Sequence, residues 1–310
     1  MKIIHRFSEF PDPKKSVVLT IGNFDGMHLG HQAVLEALQT CAKQQHAETV
    51  VLTFANHPST ILQPETPVRL LCSLPHKLEL LEKARIDWLI LLAFTKDFAN
   101  QTAEAFLKNL KTQIAFTHLI LGYDAVLGKD RKGDPASLQL FARKLNFAIT
   151  YLQAYCVDDM KISSSRIRHL IAQGDLTAIE KLLGRKYSFL GKMQTGNGQG
   201  KQLGFPTANF DVKDMCLPPY GVYAVRVIHQ GMVFNGVANL GVAPTIRTEK
   251  QPILEVHLLN NQIIPAQDAL WEIIFHSYIR PEQKFVSVED LKVQISKDIQ
   301  QASHLLASDF

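Results

Sequence analysis

Two histidines three residues apart, His28 and His31, close the run GNFDGMHLGH from Gly22 to His31. An apolar stretch, Val17–Ile21, precedes the run, and Val34, Leu35, Leu38 and Cys41 follow it on one helical side. That order reads as strand, glycine-punctuated turn and helix. The imidazoles therefore fall at a helix start, where outward N–H groups and the helix dipole favour an anion. Packing requires no such pair with Gly30 between them, whereas a nucleotide phosphate does. As donors they could stabilise the negative charge that builds on a departing pyrophosphate. No GxxxxGK[ST] run occurs, which excludes a P-loop.

Three further segments carry groups of the same kind. KISSSRIR, Lys161 to Arg168, supplies three hydroxyls and three cations ahead of a helix with Ile167, Leu170 and Ile171. It reads as a serine-rich cap or, beside the histidine pair, as a second phosphate clamp. In that clamp Ser164 and Ser165 donate to phosphate and Arg168 pairs with its charge. In Gly191–Phe210 (GKMQTGNGQGKQLGFPTANF), Gly196, Gly198, Gly200 and Gly204 form a flexible loop able to bring backbone N–H groups to phosphates. Thr207 and Asn209, two residues apart on an extended segment, face the same way, and such oxygen ligands suit Mg²⁺ bound with ATP phosphates. In Ile253–Leu259, Leu254, Val256 and Leu258 alternate with Glu255 and His257. A buried-edge ion pair is the plain explanation of Glu255, a reactive carboxylate the other.

The elements that position these groups change character along the chain. Val17–Ile21, Val50–Phe54, Trp88–Leu92, Leu119–Leu121 and Ala148–Leu152 read as strands. Helical patterns lie between them at about His31–Gln45, Lys77–Ala84, Ala103–Asn109 and Ser137–Lys144. This rhythm predicts an α/β domain with a parallel sheet whose ligands bind beyond the carboxyl ends of the strands. From about Gly184 the pattern becomes period-two, with strands predicted at Gly221–Val227, Val233–Leu240, Ile253–Leu259 and Leu270–Phe275. A small antiparallel barrel follows from that pattern. The last predicted element is a helix from Ser287 to Leu305, capped by Ser287 with Asp290, whose apolar side is Val288, Leu291, Val293, Ile295 and Ile299. The predicted domains are 1–183 and 184–310.

Bulk properties narrow the setting. A net charge of +4 without a dense Lys/Arg stripe gives no reason to expect a nucleic-acid partner. The longest apolar run, Trp88 to Phe94, is too short for a bilayer, so no membrane partner is expected. The opening MKIIHRFSEF lacks signal-peptide features, and the four cysteines are scattered. A cytoplasmic protein acting on small molecules is expected, and the sequence is silent on oligomeric state.

GNFDGMHLGH, TFANHP (Thr53–Pro58), ISSSRIR, GDL and LLGRKYS resemble, in order and spacing, the bacterial bifunctional riboflavin kinase/FAD synthetase family. The resemblance covers essentially the whole chain. It implies a Rossmann-like HxGH nucleotidyltransferase domain in 1–183 that transfers AMP from ATP to FMN, giving FAD and pyrophosphate. It also implies a riboflavin kinase barrel in 184–310 that phosphorylates riboflavin to FMN. Asn23, His28 and His31 would then hold the ATP phosphates, with Ser164, Ser165 and Arg168 closing over them. Asp25 could equally do no more than fix the turn. Gly191–Phe210 resembles the GxxxGRxLGFPTAN run of riboflavin kinases, with Lys201 where Arg is usual, which loses bidentate geometry. LEVHLL resembles the segment bearing the catalytic carboxylate. By that match Glu255 accepts the proton of the riboflavin 5′-hydroxyl as it attacks the γ-phosphoryl group, and His257 supports it.

Two stretches depart from the family pattern. Where the family carries G-(D/E)-(D/N)-F-x-F-G on its flavin side, this chain has Gly122-Tyr123-Asp124-Ala125-Val126-Leu127-Gly128. Asp124 and Gly128 remain, but both aromatic positions are aliphatic. Flavin rings pack on aromatic faces, so weaker FMN binding is expected, with Tyr123 a candidate replacement. The alternative reading is a riboflavin kinase with a weak or specialised adenylyltransferase half. Asn260–Gln267 also departs from the family's acidic stretch, and Ser165 replaces a usual Thr. The HxGH run with its serine-rich partner is also similar to class I aminoacyl-tRNA synthetases, but no tRNA-binding domain is evident. A flavin-binding module without turnover is the third class, and Thr207, Asn209 and Glu255 together argue against it.

Overall fold

The computed structural model describes residues 1–11, 16–195, 198–242, 251–259 and 269–307. The departing stretch Asn260–Gln267 and Gly196 lie outside the described residues. The chain divides into two compact units, residues 1–68 with 77–163 and residues 69–76 with 164–310.

The first unit is built on a parallel sheet of β1 (Lys2–Ile4), β2 (Val17–Ile21), β3 (Glu48–Phe54), β4 (Trp88–Leu92), β5 (His118–Leu121) and β6 (Ala148–Tyr151), in the order β1-β4-β3-β2-β5-β6. Strand β2 lies between β3 and β5 and is buried at all five positions, as a central parallel strand covered on both faces must be. The chain leaves β2 for β3 on one side and later returns to β5 on the other. The carboxyl end of β2 is therefore the switch point at which open α/β sheets bind ligands. The helices are α1 (Leu29–Gln44), α2 (Ser59–Leu62), α3 (Leu74–Lys83), α4 (Lys96–Ala99), α5 (Ala103–Ile114) and α6 (Pro135–Leu145). A hairpin of β7 (Cys156–Val157) and β8 (Met160–Lys161) follows the sheet.

Helix α5 runs five residues beyond its predicted end. Ala103, Phe106, Leu107, Leu110 and Ile114 form one continuous buried stripe. Each large side chain contributes about 1.5–3 kcal/mol by leaving water. The Thr102 cap, which accepts from Ala105 N, contributes about 1 kcal/mol. The stripe therefore decides where α5 lies, and the cap only sets where it starts.

The second unit begins with α7 (Ser164–Gln173) and α8 (Leu176–Leu183) and continues with β9 (Ser188–Lys192), α9 (Gln199–Leu203) and β10 (Ala208–Asp211). The long strands β11 (Gly221–His229), β12 (Met232–Val242), β13 (Pro252–Leu258) and β14 (Leu270–Arg280) lead to α10 (Val288–Ala307). The strands pair antiparallel in the order β10-β13-β12-β11-β14-β9. Gln194 N donates to Asn209 O at 2.7 Å, which brings the two edges together and nearly closes a barrel around Trp271, Tyr223, Phe210 and Phe275.

Two expectations need correction. Part of the glycine-rich run is not loop, since Gln199–Leu203 forms the short helix α9 between the left-handed residues Gly198 and Gly204. On α10, Ser287 caps as predicted, its Oγ accepting from Asp290 N at 3.1 Å, but Val288 and Val293 are exposed. The covered seam is Leu291, Ile295, Asp298, Ile299, Ala302 and Leu306. Asp298 belongs to it because Arg280 grips its carboxylate with two bonds of 2.9 and 2.7 Å, satisfying the buried charge. The apolar residues alone could not reveal a helix face whose middle is an ion pair.

Candidate active sites

In the first unit the Gly22–Met27 turn leaves the end of β2 and delivers His28 as the N-cap of α1. Its Nδ1 accepts from His31 N at 3.2 Å, which in a neutral ring places the proton on Nε2. The two rings stack with centroids 3.6 Å apart and planes 14° from parallel. Gly30 favours this fit, because a Cβ there would crowd Nδ1 and Cε1 of His28 at 3.2 Å. Burial, reinforced by His28 and Lys77, holds His31 well below the usual imidazole range, so it is neutral at physiological pH. Nδ1 of His31 and Oδ1 of Asn23 are buried without a hydrogen-bond partner among the described residues.

Asn23 and His31 line a cavity of about 560 Å³ with the rings of Phe24, Phe54, Phe94, Phe98 and Phe106. Asp124, Ala125 and Leu127 form part of the same wall. Tyr123 does not line it; its hydroxyl is hydrogen-bonded with Asp124 and the Lys161 ammonium lies over its ring at 5.0 Å. The aromatic surface missing at 125 and 127 is thus present on other elements. Phe54 at the end of β3, Phe94 just after β4 and Phe98 on α4 pack against one another with centroids 5.1–5.4 Å apart.

In the second unit, Ser164 and Ser165 form the first turn of α7 rather than preceding it, held by buried Ile167 and Ile171. Arg168 Nε donates to Arg69 O at 2.7 Å. On the barrel, Asn209, Glu255 and Asn239 stand side by side across β10, β13 and β12. Glu255 is half-buried, and desolvation raises its pKa above the ordinary value despite a hydrogen bond from Asn239, with Glu282 adding to the rise. His257 Nδ1 contacts Pro206 O at 2.8 Å and its ring meets Phe205 edge-on, which ties the segment before Thr207 to the barrel. Gly200 has a fixed role, since a Cβ there would lie 2.5 Å from Phe205 O and 3.0 Å from Thr207 Oγ1. Lys201 is exposed on α9.

Comparison with known proteins gives a match to the FAD synthetase family over residues 10–166 and to the riboflavin kinase family over residues 183–306. The chain is 40% identical to a bifunctional riboflavin kinase/FMN adenylyltransferase of Haemophilus influenzae over 92% of each chain. It is 35% identical to the Escherichia coli protein of that description, over 95% of this chain and 94% of the relative. The chain belongs to the bifunctional riboflavin kinase/FMN adenylyltransferase family. It is thus a transferase with a kinase and a nucleotidyltransferase half, and the expected fold class holds for both. A solved structure described as a macrolide-efflux protein from Streptococcus pneumoniae is also similar, with TM-score 0.82 and 26% identity over 97% of this chain and 98% of that one. Among the described residues, no helix of this family member is long and apolar enough to cross a membrane.

Within this family frame, the sequence alone does not single out Phe94, Phe98 or Lys77. The signal available for the two phenylalanines was their place just after a predicted parallel strand. For Lys77 there was none, because a single lysine in an amphipathic helix reads as solvated surface.

Proposed function

We propose that the two activities reside in separate sites, with FMN adenylylation carried by residues 1–183 and riboflavin phosphorylation by residues 184–310. The observation that carries this is a distinct phosphate-handling constellation in each half, His28/His31 in one and Thr207/Asn209/Glu255 in the other.

In the first reaction the FMN phosphate attacks the α-phosphorus of ATP and pyrophosphate leaves. Asn23, His28 and His31 bind the triphosphate, and the resemblance assigns Ser164, Ser165 and Arg168 to phosphate as well. The imidazoles donate hydrogen bonds as charge grows on the leaving oxygens. The phenylalanine-lined cavity with Asp124 takes the flavin ring, which supports a competent adenylyltransferase half despite Ala125 and Leu127.

In the second reaction Glu255 takes the proton of the riboflavin 5′-hydroxyl, which attacks the γ-phosphorus and releases ADP. Its raised pKa makes it a stronger base than a solvated carboxylate. Gly198 and Lys201 approach the phosphates. A hydroxyl and an amide oxygen, Thr207 and Asn209, fit Mg²⁺, which keeps most of its ligands from nucleotide and water. Bound there, the ion would neutralise phosphate charge. The reactions take place in the cytoplasm on riboflavin, FMN and ATP, without a nucleic-acid or membrane partner.

The test supplies riboflavin or FMN with ATP and Mg²⁺ and separates the products by HPLC. FMN and then FAD are expected from riboflavin, and FAD from FMN. Absence of FAD from added FMN would leave only the kinase half standing.

A further inference from the structure

The turn that carries the two imidazoles contains three left-handed residues, Phe24 (φ 51°), Gly26 (79°) and Met27 (42°). Gly26 adopts this freely, but a phenylalanine there costs about 1–3 kcal/mol and persists only where its surroundings enforce it. The enforcement acts on the preceding carbonyl. Asn23 O accepts from Thr53 Oγ1 at 3.2 Å and from Lys77 Nζ at 3.3 Å. The same ammonium donates to Phe54 O at 2.6 Å, at the end of β3. One cation therefore ties the carboxyl ends of β2 and β3 where the turn departs. Lys77 is only 7% exposed, and so buried an ammonium is tolerated only where acceptors hold it.

The contacts continue from there to the site. The buried Phe24 ring stands edge-on to His31, with centroids 5.3 Å apart, and His31 stacks on His28. We propose that Lys77 is a positioning residue for adenylyl transfer: by holding the Asn23 and Phe54 carbonyls it keeps Phe24 left-handed and sets the plane of the His31–His28 pair. The charge also opposes protonation of His31. This inference rests on the assignment of adenylyl transfer to the histidine pair.

The test uses the full-length enzyme, with both activities measured on each preparation. K77M is expected to lower kcat for FAD formation by about 50-fold, since displacement of positioned groups by about 1 Å costs on that order. KM for FMN should change by less than about 3-fold, and riboflavin kinase activity by less than about 2-fold, because ground-state contacts and the other site are untouched. K77R, which restores the charge and donors, should recover about tenfold of that loss. F24L, close in volume but without the edge contact, should lower kcat by about 5–10-fold, and because Phe24 also lines the flavin cavity its KM for FMN should rise by about 3–10-fold. If K77M does not fold, F24L alone decides. Native kcat in K77M or F24L, or a parallel fall of both activities in K77M, overturns the proposal. The His28→Ala/His31→Ala enzyme separates the two ideas. If it loses FAD formation while K77M is unaffected, only the role of Lys77 fails; if it keeps FAD formation, the site assignment itself fails.

Discussion

His28 and His31 lie face to face, 3.6 Å between ring centroids, at the first turn of α1. At that separation two imidazolium charges would repel by about 4–5 kcal/mol at an effective dielectric near 20. The stack therefore opposes charging both rings at once, and burial keeps the proton off His31. Neutral rings can donate to a leaving pyrophosphate without first shedding a counter-ion. The stack thus joins a packing fact, the close approach of the His28 ring to Gly30, to a catalytic role.

Replacing either imidazole with alanine is expected to reduce FAD formation from FMN by about 10²–10³-fold, the usual cost of removing one transition-state donor. FMN formation from riboflavin in the same sample should be unchanged. HPLC of both products checks both halves at once.

The depressed proton affinity of His31 also makes the first unit sensitive to acid. Its folded-state pKa is lowered, so as pH falls the unfolded chain takes the proton first. The stabilising contribution is present above the unfolded value of about 6.5 and is lost as pH falls below it. Calorimetry between about pH 8 and 5.5 should show the first unit's transition moving down, and H31Q should flatten that slope.

Glu255 responds in the opposite sense. Its pKa is raised by burial, so the folded state binds the proton more readily and the carboxylate is a net burden at neutral pH. E255Q is expected to abolish most riboflavin kinase activity, by about 10²–10⁴-fold as for a lost general base. It should leave the thermal midpoint of the second unit at pH 7 equal to the native one or higher. A midpoint well below native would mean that Glu255 is structural.

Phe98 packs on Phe54, Phe94 and Phe106 and lines the cavity assigned to the flavin. Truncation to alanine removes one aromatic face, worth about 0.5–1.5 kcal/mol beyond area burial. KM for FMN in FAD synthesis should rise by about 3–10-fold, while KM for riboflavin in the kinase reaction stays constant. Steady-state kinetics with each flavin measures both.

Gly128 closes the same wall with φ 76°, and a Cβ there would lie 2.3 Å from the backbone nitrogen of Ala103. Neither atom can yield without moving the start of α5. Gly128→Ala should destabilise the first unit by at least about 2 kcal/mol. Its melting transition should fall by about 4–8 °C in a scan of the full chain.

The sequence by itself determined the strand–turn–helix around His28, the change from α/β to antiparallel β near Gly184, and the residue types at both sites. These are local matters. A glycine turn, a cap such as Ser287 or the alternation around Glu255 is decided within a few residues by backbone sterics and hydrophobic period. Only the tertiary structure decided which groups meet. Asn209, Glu255 and Asn239 become neighbours through strand register, and the phenylalanine wall beside Ala125 and Leu127 is gathered from the ends of β3, β4 and nearby helices. Lys77 reads as a surface lysine until the sheet places two strand-end carbonyls against its ammonium. Side-chain burial and lateral pairing depend on contacts between residues distant in the chain, and no local pattern encodes them.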